Sequence, residues 1–286
     1  MCTLHPTIIV KIVILGTGQD AGIPQVGCSC ANCEAARKYP SRSRTGPSIA
    51  LVSPDGSGFY LVDASTNFTK QVDYLLGNHV KGGFGALKGI FITHVHLGHI
   101  MGLGMLGREA SEQSGVEVYA PPGVIGFLEK NMPFKEMILR KNIIPNSIMP
   151  GQELPLFENS SIAPFQVPHR PDAITTYAYL VKRGEERVLY LPDTDEITPD
   201  IIDLVSKSDT AIVDGTFYSN DEISTRDITE IPHPFMKDSI PLFKDSDTRI
   251  IFTHINHTNP VNDPVSEASG DVLQSRFEVA RENMVI

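Results

Sequence analysis

Three of the chain's nine histidines lie close together in Thr93-His94-Val95-His96-Leu97-Gly98-His99. Neutral imidazole is a common metal ligand, and residues i and i+2 of an extended segment point to the same side, so His94 and His96 can grip one ion from neighbouring corners. His99, one turn further on, points elsewhere and suits a second ion about 3.5–4 Å away, the usual spacing of two-metal sites. A lone histidine is most often a surface or core residue. Three at this spacing, directly after the apolar run Gly89-Ile-Phe-Ile92, have no evident structural task, and metal binding is the expected one. A second, softer cluster is Cys28-Ser29-Cys30-Ala31-Asn32-Cys33, three thiols on a turn whose spacing suits one tetrahedral zinc still short of its fourth ligand. Four cysteines in 286 residues are too few for a disulfide framework.

The elements around these clusters repeat one pattern, a short apolar run ending in a ligand-type residue. Residues 58–62 lead to Asp63, 89–92 to His94, 162–167 to His169, 187–191 to Asp193, 210–213 to Asp214 and 250–252 to His254, while 8–15 lead into the turn Gly16-Thr17-Gly18. Aspartate and histidine are ordinary turn residues at any one such place. Six together point to a common edge, because the carboxyl ends of strands in one sheet line one side of it. Helices are expected over 67–76, 99–109, 122–131 and 199–206, and the neighbours 176–181 and 187–191 predict antiparallel pairing. The class is therefore mixed α/β.

No linker, charge block or repeat interrupts the chain, so residues 1–286 read as a single domain. The 41% hydrophobic and 20% charged content fits a chain that buries a sizeable core. A net charge of -10 argues against nucleic acid as a general partner, and leaves room for a small anionic substrate drawn to metal ions. No apolar run approaches the roughly 20 residues needed to span a bilayer. A cytoplasmic location is expected, with an exported lipoprotein as the alternative should Cys2 be a processed lipid-bearing residue.

The histidine segment resembles the H-x-H-x-D-H signature of the metallo-β-lactamase superfamily, whose fold is a four-layer αββα sandwich with a two-metal site at one sheet edge. The resemblance implies that His94, His96 and His169 hold the first metal, that Asp193 bridges, and that His99 and His254 hold the second. It also implies that Asp63 is the buried carboxylate orienting a metal-binding histidine. Two branches of that superfamily carry C-x-C-x-x-C after the first strand: the pyrroloquinoline quinone biosynthesis B family, and the cyclic phosphodiesterases of the carbon–phosphorus lyase pathway. In the second, the terminal H-x-x-H gives one histidine to the active site and one to a structural zinc. Here that motif is His254-Ile255-Asn256-His257, which makes His257 the fourth partner of Cys28, Cys30 and Cys33. The likeness to the quinone branch spans nearly the whole chain, through Gly22-Ile23-Pro24-Gln25, Gly107-Arg108-Glu109, Val213-Asp214-Gly215-Thr216 and His254 to Pro260, although the intact histidine set is nearer the phosphodiesterases. His233, in Ile231-Pro232-His233-Pro234, matches a non-ligand active-site histidine of the phosphodiesterases and is implied as general acid or oxyanion stabiliser.

One position departs from the signature: its aspartate is Gly98 here. The second metal is expected to bind more weakly for want of a negative charge, and Gly98→Asp to restore it, unless Asp20 or Asp195 stands in. The resemblance implies a metal-dependent hydrolase acting on a phosphodiester or other ester through a metal-bound hydroxide, with one or two Zn2+, Mn2+ or Fe2+ ions in the active site besides the structural zinc. The alternatives are an oxidative enzyme with a mononuclear iron site, as the loss of the aspartate at Gly98 suggests, and a non-catalytic metal carrier. Residues 134–148 and 217–234 are expected to shape the pocket for a small anionic substrate, and a homodimer is compatible with the sequence.

Overall fold

The structure, a computed structural model, describes residues 9–170, 175–223 and 231–286. Six strands form the first sheet in chain order: β1 (Lys11–Gly16), β2 (Ser48–Val52), β3 (Phe59–Val62), β4 (Leu87–Phe91), β5 (Val116–Ala120) and β6 (Ile143–Ser147). β1 to β3 pair antiparallel, and β3 to β6 run parallel. Seven strands form the second sheet, also in chain order: β7 (Leu154–Pro155), β8 (Ser160–Val167), β9 (Thr176–Arg183), β10 (Glu186–Leu191), β11 (Thr210–Asp214), β12 (Arg249–Thr253) and β13 (Glu278–Val279). It too changes from antiparallel pairing, β7 to β10, to parallel pairing, β10 to β13.

Strand periodicity assembles the layers. Along β1, Ile12 and Ile14 join Ile49, Leu51, Tyr179, Tyr190 and Ile251 in an apolar layer shared by both sheets. Their neighbours Val13 and Leu15 face the other way. Helices α1 (Ala31–Lys38), α2 (Phe68–Asn78), α3 (Leu97–Ile100), α4 (Pro122–Lys130) and α5 (Phe134–Leu139) belong to the first half of the chain. Of these, α2, α4 and α5 bury Phe68, Leu75, Val124, Leu128 and Phe134 against that outward face. On the far side α6 (Pro199–Ser206), α7 (Met236–Phe243) and α8 (Glu267–Gln274) place Ile201, Val205, Phe243 and Val272 on the second sheet. Three apolar layers between four layers of elements make the expected αββα sandwich, and burying each such side chain contributes about 1.5–3 kcal/mol.

The expected hairpin pairs as anticipated, with Val181 opposite Val188. α6 spans the expected residues, and the Thr198 hydroxyl accepts from the Ile201 amide at its start. Two expectations are corrected. The helix anticipated over 99–109 is instead α3 followed by a 3-10 segment, Met101–Leu106. At Gly102 a Cβ would lie 2.5 Å from the Ser65 carbonyl oxygen, so close backbone packing decides the path there. Residues 134–148 form α5 and the edge strand β6, with Phe134 and Met137 in the outer core, and none of them lines the cleft at the site. No helix among the described residues is long and apolar enough to cross a membrane, and Cys2 lies outside them.

β8 and β10 share a direction, since each pairs antiparallel with β9, and β10, β11 and β12 run parallel. The carboxyl ends of β3 and β4 in one sheet, and of β8, β10, β11 and β12 in the other, deliver the ligand-type residues.

Candidate metal centre

Beyond β4, the Thr93 amide donates to Asp63 Oδ1 at 2.8 Å. The Thr93 hydroxyl lies 3.0 and 3.1 Å from the Asp63 oxygens and 2.9 Å from His94 Nδ1. A hydroxyl that donates to the carboxylate accepts from Nδ1–H, which leaves His94 Nε2 with the lone pair. His99 is oriented in the same way, its Nδ1 donating to Asp63 Oδ2 at 2.8 Å. The resemblance placed Asp63 in this orienting role, and the geometry provides it.

A matching arrangement comes from the other sheet. Thr216 Oγ1 lies 2.7 Å from Asp214 Oδ1 and 2.9 Å from His254 Nδ1, while His233 Nδ1 lies 2.7 Å from Asp214 Oδ2. His169 Nδ1 is held by Asp195 Oδ1 at 2.9 Å. Each of these contacts fixes a ring by one nitrogen and frees the other.

The freed atoms converge. Donor atoms of His94, His96, His169 and Asp193 lie within 4.8 Å of one another, and so do those of His99, Asp193 and His254. Asp193 belongs to both sets: Oδ2 is 3.3 Å from His99 Nε2, and Oδ1 is 3.7 Å from His169 Nε2 and 3.4 Å from His254 Nε2. Nε2 of His94, His99 and His254 and Oδ2 of Asp193 are buried without a hydrogen-bond partner among the described residues. Orphaned buried donors and acceptors are costly, and four aimed at one place fit a pair of divalent ions. Asp214, His233 and His254 form a third close group, but Thr216 Oγ1 sits 3.2 Å from His233 Nδ1 and bonds the other two, so this group is a hydrogen-bonded relay.

Electrostatics prepares the ligands. Burial, followed by the charge of His99, holds His94 and His254 well below the ordinary imidazole range. Burial with neighbouring rings takes His96 to about 4 and His169 to about 2, so all four are neutral and ready to bind. Burial raises Asp193 to about 7 against the opposing pull of His99 and His233. At His99 burial is outweighed by Asp63 and Asp193, which lift it to about 9. For His233 burial is likewise outweighed, here by Asp214, and the ring holds its proton above the usual value.

Four residues around the centre have left-handed backbones: Asp20 (φ 41°), Asp63 (64°), Arg170 (45°) and His254 (60°). Non-glycine residues seldom adopt this conformation, and it concentrates where chain direction serves a site. Beside the centre lies a cleft of about 410 Å³ lined by Gln19, Asp20, Arg170, Phe217, Glu222 and Asn256, among others. Of the expected pocket segment 217–234, Phe217, Glu222 and Ile231 line it, and residues 224–230 lie outside the described residues.

Sequence reading missed Thr93 and Thr216 as orienting residues and gave Asp214 no role. The available signal was a hydroxyl residue placed between a strand end and a ligand, or two residues beyond a strand-end aspartate. Asp195, considered as a substitute metal carboxylate, instead orients His169 and accepts from the Arg170 amide at 2.7 Å. The simple repair at Gly98 is also corrected. Gly98 sits in α3 without a positive φ, but a Cβ there would fall 2.3 Å from Asp20 Cα, so an added side chain meets backbone.

The structure brings the four residues expected at the cysteine cluster together. Donor atoms of Cys28, Cys30, Cys33 and His257 lie within 4.8 Å of one another, with Cys28 and Cys30 Sγ each 3.4 Å from His257 Nδ1. Arg37 braces the turn through the carbonyls of Cys28 and Gln25, and Asn32 donates to those of His257 and Asn259. Burial raises the Cys33 thiol to about 12, so without a cation it stays protonated. Three soft thiols and one imidazole form a donor set suited to tetrahedral zinc.

Two mixed sheets between helical layers, with a carboxylate shared by two histidine sets at one edge, define a metallo-β-lactamase fold. The family model described as the beta-lactamase superfamily domain matches residues 59–255, and the chain belongs to that superfamily. It is 28% identical over 300 residues to coenzyme PQQ synthesis protein B of Methylorubrum extorquens, covering 96% of this chain and 99% of that protein. The protein of the same name from Methylococcus capsulatus is also 28% identical, over 304 residues, with the same coverage. Among solved structures, Zn(2+)-bound PqqB from Methylobacterium extorquens aligns with a TM-score of 0.86 at 26% identity, covering 96% of this chain and 99% of that one. A diphosphatase of the PhnP family aligns at 0.72 with 22% identity over 97% and 96% of the two chains, and shares the fold.

Proposed function

We propose that the protein is a metal-dependent hydrolase that cleaves a small anionic phosphodiester or related ester at a two-metal centre. The observation that carries this reading is the position of Asp193, whose carboxylate serves a four-donor set and a second set at once. His94, His96, His169 and Asp193 would hold one ion, and His99, His254 and Asp193 the other. Bound there, divalent zinc, manganese or iron would supply charge stabilisation and lower the pKa of a coordinated water from about 15.7 toward 7.

The chain's own residues support the rest of the chemistry. Thr93, Asp63, Thr216, Asp214 and Asp195 hold the ligand rings by their Nδ1 atoms, so little reorganisation is needed at the site. His233 is buried, keeps its proton through Asp214, and has its ring 5.5 Å from that of His169 and 5.7 Å from that of His254. Its burial and retained proton support a role as donor to a leaving-group oxygen or to the oxyanion. Arg170 faces the cleft with a buried Nε that has no hydrogen-bond partner among the described residues, a donor suited to an anionic substrate.

The relatives called coenzyme PQQ synthesis protein B favour a second reading, a step in the synthesis of that coenzyme, for which the loss of the signature's aspartate at Gly98 suggests an oxidative reaction at a single iron held by His94, His96 and His169. Purified protein loaded separately with zinc, manganese and iron should be assayed for hydrolysis of linear and cyclic phosphodiesters and for oxygen uptake. Phosphodiester turnover with two active-site ions supports the first reading. Oxygen uptake with one iron and no hydrolysis overturns it in favour of the second.

A further inference from the structure

We infer that Asp20 supplies the second metal's missing carboxylate, reaching from the loop after β1 into the space left by Gly98; this rests on the two-metal reading above. The signature's aspartate would project from position 98. An ideal Cβ built there lies 2.7 Å from Asp20 Oδ1, close to the separation between an aspartate's own Cβ and its carboxylate oxygens. The carboxylate thus lies beside the place that an aspartate at 98 would fill, entering from another element; it is not among the donor atoms within 4.8 Å of one another, so the side chain has to turn toward His99 and His254 to bind.

The loop is built to hold it there. Asp20 backbone is wedged between two glycines: a Cβ at Gly98 would stand 2.3 Å from its Cα, and one at Gly46 would stand 2.3 Å from its carbonyl oxygen. Asp20 itself is left-handed, at φ 41°, a conformation that aspartate and asparagine tolerate better than most residues. The loop is pinned to the strand end that carries His254, through Gln19 N to Ile255 O at 3.0 Å and Ile255 N to Thr17 O at 2.8 Å. Asp20 therefore lies between α3, which bears His99, and the residue that follows His254. No hydrogen bond reaches its side chain from the described residues, and its charge acts on His96, His99 and Asp193 together. It also lines the cleft, so a carboxylate arriving by this route forms part of the substrate wall.

An exchange of positions tests the assignment. Metal-stripped wild type, Asp20→Asn, Gly98→Asp and the double variant Asp20→Gly/Gly98→Asp would be titrated with Mn2+ by equilibrium dialysis. Electron paramagnetic resonance would detect coupling between neighbouring ions, and melting temperature would verify folding. Asp20→Asn, isosteric and compatible with the left-handed backbone, should keep the first active-site ion, weaken the second by about tenfold or more and lose the coupled signal. Gly98→Asp alone should melt lower, because its Cβ meets the Asp20 backbone. The double variant still carries the residue-20 Cα that a Cβ at 98 meets, so it folds only with a shift of that loop; where its melting temperature matches that of Asp20→Asn, it should recover the second ion. Wild-type affinity for two ions in Asp20→Asn would overturn the assignment and leave the two-metal reading standing, as would a double variant that folds yet binds like Asp20→Asn. A wild type that takes only one active-site ion at saturation would overturn both.

Discussion

The cysteine cluster and the histidine centre stand at opposite extremes of how a chain can build a metal site, although one short loop, His254 to His257, contributes to both. The cysteine cluster draws three donors from six residues that run from a loop into the first turn of α1, and one from that loop after β12, is partly exposed, and rests on backbone contacts made by Arg37 and Asn32. The histidine centre draws its donors from the ends of four strands in two sheets and is almost wholly buried. Every ring but that of His96 is steered by a carboxylate or a hydroxyl held by one. A locally encoded site can hold the loop in shape. A site assembled by the whole fold can set charge, tautomer and spacing, as chemistry requires.

That contrast is sharpest in the first prediction. His94→Ala and His169→Ala should each empty the first metal position and lower phosphodiester turnover by about a thousandfold or more, with little change in the cysteine-bound zinc. Turnover and metal counts per chain should separate the two sites; equal loss from both would show that they are not independent.

Cys30→Ser should do the reverse. Removing one of three thiols should release one tightly bound zinc and lower the melting temperature by on the order of 10 °C, because metal binding there is folding energy. An unchanged zinc count would remove the structural role given to the cluster. Activity should fall only as far as His254, three residues from His257, loses its position.

A smaller effect is expected at His233, which is placed as a proton donor and not as a ligand. His233→Ala should reduce kcat about a hundredfold at unchanged active-site metal content. Loss of metal in that variant would make it a ligand and redirect the reading of the Asp214 relay.

The smallest effect concerns protons. His99 binds its proton more tightly in the metal-free fold than in the unfolded chain. Its contribution to stability is therefore fully present below about 6.5 and is lost as pH rises through about 9. A metal must displace this proton, so binding at pH 7.5 should release close to one proton from His99, which calorimetry in buffers of different ionisation enthalpy would measure. Binding without proton release would place His99 outside the ligand set.

Much of this was legible from residue types and spacing. The short apolar runs and their terminal ligands marked the strands, and the two clusters stood out because nothing structural explains three imidazoles or three thiols so close together. The antiparallel pair around Val181 and Val188 was visible because few residues separate its strands. What lay hidden depends on distance in sequence. α7, α8 and the edge strand β6 have weak local signals and are settled by packing on sheets already formed. Thr93, Thr216 and Asp214 are common residue types that become orienting groups only where two strand ends meet. Gly98 showed its departure from the signature in sequence, but only the fold shows that the Asp20 loop fills the space in front of it.

The central claim is that Asp193 joins two ion sites into one hydrolytic centre, and the most direct test is turnover against metal occupancy. Metal-stripped protein with its cysteine zinc retained would be titrated with Mn2+ while hydrolysis of bis(p-nitrophenyl) phosphate is followed. The account predicts that turnover stays low through the first active-site equivalent, rises as the second fills, and is abolished in Asp193→Asn. Full turnover at a single equivalent, or no hydrolysis with both sites filled, would contradict it.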